Sequence, residues 1–171
     1  MINDMKKTAE DIFLYAVDKA NPYTSVFSDI SSKHFNNPTV AAAGKAAVPM
    51  AMGAFDALNG KAESVTVLTK YDHIPGNIPD CFVTFEAGHP VPDKNGLKAT
   101  EYIINKCRTL GEEDELIFLL SGGASALFEY PEIELGELKE ITNCLLKSSA
   151  DITEINTIRK RLSKVKGGKF A

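Results

Sequence analysis

The sequence has few cysteines, no excess of basic residues and no long apolar run. Its three cysteines, at positions 81, 107 and 144, are odd in number and fit no zinc-site spacing, so we expect buried, reduced thiols in a cytosolic protein. A net charge of −4 with dispersed lysine and arginine argues against nucleic-acid binding. The apolar runs are too short to span a bilayer, and residues 1–17 lack the continuous apolar core of a signal peptide.

Several sequence fingerprints are absent as well. There is no G-x-G-x-x-G followed about 20 residues later by an acidic residue, the pattern of dinucleotide-dependent oxidoreductases. There is also no G-x-x-x-x-G-K-[S/T] P-loop and no G-x-S-x-G nucleophile elbow. Internal repeats and low-complexity segments are missing too, which argues against a repeat protein.

Short apolar strands alternate with amphipathic helices along the chain. The strands are near-continuous apolar runs, which is typical of a parallel sheet covered on both faces. We therefore predict an α/β fold, a three-layer Rossmann-like domain with a mainly parallel sheet, in which the N-terminal helix covers one face. The predicted strands are 39–44, 64–69, 81–87 and 116–121, the predicted helices are 3–20, 45–60, 97–109, 134–150 and 153–165, and residues 21–37 are a predicted loop.

Two predicted strand-to-helix junctions are built of small residues. They are Ala-Gly-Lys-Ala-Ala at 43–47 and Ser-Gly-Gly-Ala-Ser-Ala at 121–126. Both lie at carboxyl ends of parallel strands, where ligands bind, and each is expected to open a helix whose free N–H groups favour an anion. Glycines also permit tight packing, so the residues alone leave an anion site and a packing role open. Lys45, beside such a glycine, is suited to clamp a phosphate.

Two further segments carry side chains that are common in active sites. In EAGHPVPD, residues 86–93, His89 lies in a rigid loop, where contact with an anion, proton transfer and a structural turn all remain open. Asp93 is placed to cap the following helix. Near the C-terminus, Asn156 and Arg159 share one helical face within a basic stretch, which is usually a solvated helix surface.

Four stretches together give the sequence a family resemblance. AGKAAVPMA (43–51), EAGHPVPD (86–93), LLSGGASAL (119–127) and INTIRKRLSKVKGGKFA (155–171) resemble, in order and spacing, the type-2 glycerate kinases. The C-terminal part of that family is called the MOFRL domain, and its members are often labelled hydroxypyruvate reductase. The resemblance implies ATP-dependent phosphorylation of D-glycerate with Mg²⁺, in a cleft between a Rossmann-like domain and a smaller C-terminal domain.

The resemblance also implies site residues. The implied catalytic residues are Lys45, His89 and Arg159, and the implied substrate- or nucleotide-binding residues are Gly44, Asp93, Ser121, Gly122, Gly123, Ala124, Ser125 and Asn156. No metal ligand is assigned. Two positions depart from the family pattern: Ala124 replaces a loop glycine, adding a methyl group where backbone should approach a ligand, and Arg161 replaces a histidine.

The length of the chain qualifies these expectations. Family members are more than twice as long, and the end at Gly167-Gly168 resembles a connection, so we expect residues 1–171 to be an incomplete N-terminal domain. We expect a cytoplasmic glycerate 2-kinase in the longer form, with this chain alone inactive and self-associating through exposed apolar surface. Two alternatives stay open, a non-catalytic fragment that binds a ligand or partner, and a hydroxypyruvate reductase. Binding to nucleic acid or membrane is not expected.

Overall fold

A four-stranded parallel sheet forms the centre of the molecule. The computed structural model describes the backbone of residues 2–171 and the side chains of residues 4–171, so Met1 of the predicted domain lies outside the described residues. The strands are β1 (Thr39–Ala43), β2 (Ser64–Lys70), β3 (Phe82–Ala87) and β4 (Leu116–Leu120), in the order β3-β2-β1-β4 with every pair parallel. The predicted α/β class with a parallel sheet is therefore confirmed.

Seven helices accompany the sheet within the described residues. They are α1 (Ile2–Lys19), α2 (Pro22–Ser31), α3 (Ala47–Ala57), α4 (Lys94–Arg108), α5 (Ala124–Leu127), α6 (Leu135–Lys147) and α7 (Ile152–Arg161). The central strand β1 is fully buried, and its alternating side chains feed two separate cores. Val40 and Ala42 pack on one face against α2 and α3, while Ala41 and Ala43 pack on the other against α4 and α5.

The segment 21–37 was predicted to be a loop, and this is wrong for its first half, which forms α2. The side chain of Asn21 accepts hydrogen bonds from two backbone N–H groups of the first turn, and Pro22 stands at the first helical position. Val26 and Ile30, one turn apart, are buried against α3. Proline and polar residues are typical of loops, but here Asn21 and Pro22 start a helix.

The expectation that the N-terminal helix covers the sheet is also wrong. Every described side chain of α1 is exposed. One face of the sheet is packed against α3 with α2 outside it, and the other against α4 and α5, and α1 packs on neither. Its exposed large apolar residues are Met5, Ile12, Phe13, Leu14, Tyr15 and Val17.

The predicted burial of the cysteines fails for two of the three. Cys81 is exposed because β3 begins only at the next residue, and Cys144 is exposed on the side of α6 opposite to its buried Leu138. Cys107, on α4, is half-buried, and burial raises the pKa of its thiol.

Candidate functional site

Three loops meet at the carboxyl edge of the sheet and carry the sequence-predicted site residues. Gly44 and Lys45 follow β1, His89 follows β3, and Ser121 to Ser125 follow β4. All strands are parallel, so these loops lie on the same side of the sheet, where parallel α/β folds bind ligands.

The loops after β1 and β4 are locked to each other by hydrogen bonds. The N–H of Lys45 donates to the carbonyl of Gly122 at 2.9 Å, and the N–H of Ala46 donates to Oγ of Ser121 at 3.1 Å. Gly44 has φ of 128°, and a Cβ there would lie 2.7 Å from the carbonyl oxygen of Ser121, so only glycine fits. These bonds use the N–H groups of the two residues just before α3, so those two groups are not available to an anion.

Gly123 is the point where the three loops converge. Its φ is 90°, and a Cβ built on it would lie 3.0 Å from Nε2 of His89 and 3.3 Å from Cε of Lys45. The structure therefore brings Lys45, His89 and the loop after β4 into one site. The glycine leaves space that a side chain would fill, between an ammonium and an imidazole.

The loop after β4 offers backbone donors at this point. Among the described residues, the N–H groups of Gly122, Gly123 and Ser125 have no backbone or side-chain acceptor, whereas that of Ala124 donates to the carbonyl of Ser121. The helix after this loop, α5, is one turn long, so its dipole is small and the predicted helix-end contribution is weak here. Individual amides and side-chain charges make the site attractive to an anion.

The positive charges around the site contribute to lowering the pKa of His89. Burial of the imidazole lowers this pKa most, and the positive charges of Lys45, Lys70 and Arg159 lower it further. His89 is therefore neutral near pH 7 while its neighbours are cationic. Lys70, the last residue of β2, was not singled out from the sequence, although its position at a carboxyl strand end was available as a signal.

Arg159, on α7, lies at the side of the site where α6 and α7 contribute residues. Its Nη2 donates to the carbonyl of Ser125 at 2.6 Å, joining α7 to the loop after β4. A small cavity of about 160 Å³ lies beside it, lined on the polar side by His89, Gly123, Ser125 and Arg159. Its apolar wall is formed by Leu145, Leu146 and Ile155.

Comparison with known proteins agrees with the geometry. The model of a family described as a domain of unknown function, DUF4147, matches residues 8–171. The chain belongs to the DUF4147 family. A D-glycerate 2-kinase of Thermotoga maritima is 43% identical over 98% of this chain, and the chain spans about 40% of that relative's length. A relative in Agrobacterium vitis, named provisionally as a hydroxypyruvate reductase, is 36% identical over 94% of this chain and 36% of its own.

A solved structure has the same fold. The crystal structure of a glycerate kinase from Thermotoga maritima superposes with a TM-score of 0.89 at 42% identity, and the match covers 98% of this chain and 41% of that one. The parallel sheet and its helices are therefore those of a glycerate kinase structure. Within residues 2–171 of this DUF4147 chain, no helix is both long and apolar enough to cross a membrane.

Asp93 does not present its carboxylate to the site. Its Oδ2 accepts from the N–H of Gly88 at 2.9 Å and from the hydroxyl of Tyr71 at 2.6 Å, and its Oδ1 accepts from the N–H of Gly96 at 2.9 Å. It is the N-cap of α4, as its position before that helix suggests. In the DUF4147 chain Asp93 therefore holds the loop of His89 in place, and Tyr71 is a partner that sequence reasoning missed.

Two other predicted binding residues make no side-chain hydrogen bond with a described residue of the site. Ala124 is buried in the core on the α4 side of the sheet, together with Leu127, so its methyl group does not enter the ligand space as expected. Asn156 lies on α7, half-buried, and its side chain has no hydrogen bond to a described residue.

The family resemblance implies Mg²⁺ in addition to a nucleotide. Among the described residues, no three His, Cys, Asp or Glu side chains are grouped so as to hold a metal ion. The side chains around Gly123 are basic, whereas Mg²⁺ requires oxygen ligands. The side chains around Gly123 suit phosphate groups, and Mg²⁺, which is commonly held by one or two carboxylates together with substrate phosphates, does not require a group of three such side chains.

Proposed function

We propose that this DUF4147 chain carries the phosphate-binding part of a D-glycerate 2-kinase, which transfers a phosphoryl group from ATP to D-glycerate in a longer form. The observation that supports this most is the convergence of Lys45, His89 and free backbone N–H groups at Gly123. Phosphoryl transfer asks a protein mainly for positioning and charge stabilisation, and this cluster supplies both.

Each residue has a role in this proposal. Lys45 binds a phosphoryl oxygen through its ammonium, and the amides of Gly122 and Gly123 bind neighbouring oxygens. Arg159 adds charge from α7. His89, whose lowered pKa favours the neutral imidazole, is proposed to accept a proton from a substrate hydroxyl. Any Mg²⁺ in the reaction is proposed to arrive with the nucleotide, and no ligand for it is assigned here.

The proposal divides the protein as the family resemblance does. Residues 1–171 are proposed to be an incomplete N-terminal Rossmann-like domain, with the MOFRL domain in the remaining length that the relatives possess. The carboxyl edge of the sheet is then one wall of a cleft, and a second wall is needed to exclude water. We therefore expect little or no turnover from this chain alone, in a cytoplasmic protein.

A coupled assay tests the proposal. ATP and D-glycerate are supplied to a longer form containing this chain and, separately, to the 171-residue chain. Activity of the longer form that is lost on Lys45→Ala supports the kinase, and turnover of hydroxypyruvate with a nicotinamide cofactor in place of it contradicts the proposal. The dinucleotide fingerprint is absent, which disfavours the reductase.

The second candidate is a ligand-binding fragment without catalysis. It is favoured for the chain as given because the chain spans about 40% of its kinase relative while the loops of the proposed anion site already converge at Gly123. A titration with ATP or inorganic phosphate separates the two candidates: binding by the chain without turnover in any longer form supports the fragment. Self-association of the chain is proposed as well.

A further inference from the structure

We propose that the cavity beside His89 and Arg159 holds the acceptor of the reaction, a small 2,3-dihydroxy acid, and that Thr142 is the residue that recognises its 3-hydroxyl group. This inference rests on the proposed function for the identity of the acceptor. It assigns the residue that distinguishes D-glycerate from a 2-hydroxy acid without the second hydroxyl, such as D-lactate.

Thr142 is a buried polar residue that faces this cavity without a hydrogen-bond partner. It lies on α6, one turn after the buried Leu138, and is 5% exposed. Thr142 lines the cavity, and its hydroxyl forms no hydrogen bond within residues 4–171. A buried hydroxyl without a partner costs free energy, so this group is suited to bind a ligand. Because residues of this chain already bury Thr142, its partner has to be small enough to enter the cavity.

Arg159 supplies the charge that an acid requires. Its Nη2 donates to the carbonyl of Ser125 at 2.6 Å, and its guanidinium forms no ion pair with a described residue. A guanidinium carries several N–H donors, so most of them remain for a carboxylate, which can be bound through two parallel hydrogen bonds. The bond to Ser125 orders the guanidinium beside the cavity before an acid arrives.

His89 lies between this cavity and the proposed phosphate-binding lysine. His89 and Gly123 line the cavity, whereas Lys45 does not. Lys45 and His89 both approach Gly123, since a Cβ built there would lie 3.3 Å from Cε of Lys45 and 3.0 Å from Nε2 of His89. An acid in the cavity would therefore have its 2-hydroxyl beside His89 and next to a phosphate bound by Lys45. Its carboxylate is then bound by Arg159, and its third carbon points toward α6.

The remaining wall of the cavity limits the size of the acid and leaves Thr142 as the polar group of α6. Leu145, Leu146 and Ile155 form this wall, and none of their side chains can form a hydrogen bond. A volume of about 160 Å³ suits a three-carbon acid and is too small for a nucleoside. A site built to bond a hydroxyl rejects the analogue that lacks it, because the polar group of the protein is then left unpaired.

Paired titrations with D-glycerate and D-lactate test the assignment, because the two acids differ only in the 3-hydroxyl. The 171-residue chain and a longer form are each titrated by NMR. We expect Thr142→Val, which keeps the shape and removes the hydroxyl, to lower D-glycerate affinity about five- to tenfold and to leave D-lactate affinity unchanged. Thr142→Ser keeps a hydroxyl and should retain the preference for D-glycerate. Thr157→Val, at an exposed position of α7 whose hydroxyl bonds within its own helix, is the matched control and should change neither affinity.

Kinetics separate this inference from the proposed kinase. In a longer form, Thr142→Val should raise KM for D-glycerate with little change in kcat, since the contact is made equally in the ground and transition states. Phosphorylation of D-glycerate with no effect of Thr142→Val on KM or on the preference over D-lactate would overturn the role of Thr142 and leave the kinase standing.

The binding measurements decide the assignment even without turnover. A longer form without kinase activity, in which Thr142→Val still lowers D-glycerate affinity alone, would contradict the kinase and support the role of Thr142. Equal loss of affinity for both acids in Thr142→Val would overturn that role, because the hydroxyl would then act through packing. Failure of both forms to bind either acid would overturn the assignment of the cavity.

Discussion

Replacing Lys45 by alanine separates a ligand-binding role from a structural one. The side chain is exposed, and its ammonium forms no hydrogen bond or ion pair with a described residue. Its removal should therefore change the free energy of unfolding by less than about 0.5 kcal/mol. The same ammonium lies beside Gly123 and His89, where an anion would be bound.

The expected loss of anion affinity follows from the charge and its distance. A unit charge about 4 Å from a phosphate contributes about 1 kcal/mol in bulk water and about 4 kcal/mol at an effective dielectric constant near 20. Because Lys45 is exposed in this chain, the lower half of that range applies, and we expect affinity for inorganic phosphate to fall about tenfold. In a longer form with a closed cleft, kcat should fall on the order of 10²-fold or more.

Three measurements check this prediction. Phosphate titration followed by NMR gives the affinity, urea unfolding gives the stability, and titration of His89 reports the local charge. In Lys45→Ala the pKa of His89 should rise toward its ordinary value, since the charge of Lys45 lowers it. Lys61→Ala removes an exposed lysine from the segment between α3 and β2 and should change none of the three. If Lys45→Ala and Lys61→Ala lowered phosphate affinity equally, the proposed binding of phosphate by Lys45 would be refuted.

Three further outcomes are expected. Binding of sulfate, which keeps its charge over this pH range, should raise the pKa of His89, and by linkage sulfate affinity should increase as the pH falls through the pKa of His89 in the bound state. NMR titration with and without sulfate measures both, and an unchanged pKa would place the anion elsewhere. Asp93→Ala should lower the free energy of unfolding in urea by at least about 1 kcal/mol, through loss of the α4 cap; an unchanged midpoint would contradict this. Lys166→Met should lower the free energy of unfolding by about 3–5 kcal/mol, because Glu129 stays buried without its partner 2.5 Å away. Adding Glu129→Gln should restore part of this free energy, and an equal loss in the single and double variants would contradict the prediction.

The sheet could be predicted because its signal lies in single strands. Near-continuous apolar runs such as residues 64–69 and 116–121 fit only a strand covered on both faces, and each was placed within one residue of β2 and β4. The errors concern helices whose position depends on distant partners. Nothing in α1 shows that both faces of the sheet are already covered, and the burial of Val26 in α2 depends on the neighbouring α3.

The site could be predicted as a set of loops and only partly as contacts. Small residues after β1 and β4 indicated where a ligand would bind, because parallel topology brings all carboxyl strand ends together. The sequence did not indicate which donors remain available. The N–H of Ala46 donates to Oγ of Ser121, whereas those of Gly122 and Gly123 have no acceptor among the described residues. That division depends on how the two loops pack, which no single motif contains.

The hydrogen bonds of Ser121 explain why a residue with a hydroxyl group lies at the end of β4. Its Oγ accepts the N–H of Ala46, and its N–H donates to the carbonyl of Ala43. A serine engaged in this way joins β4 to the loop of Lys45. The free donors begin one residue later, at Gly122, where the absence of a side chain opens the space that Ser121 holds in shape. Lys45 and the amides of Gly122 and Gly123 are therefore held together by the fold itself. Binding of a phosphate would then not have to supply the free energy needed to order them.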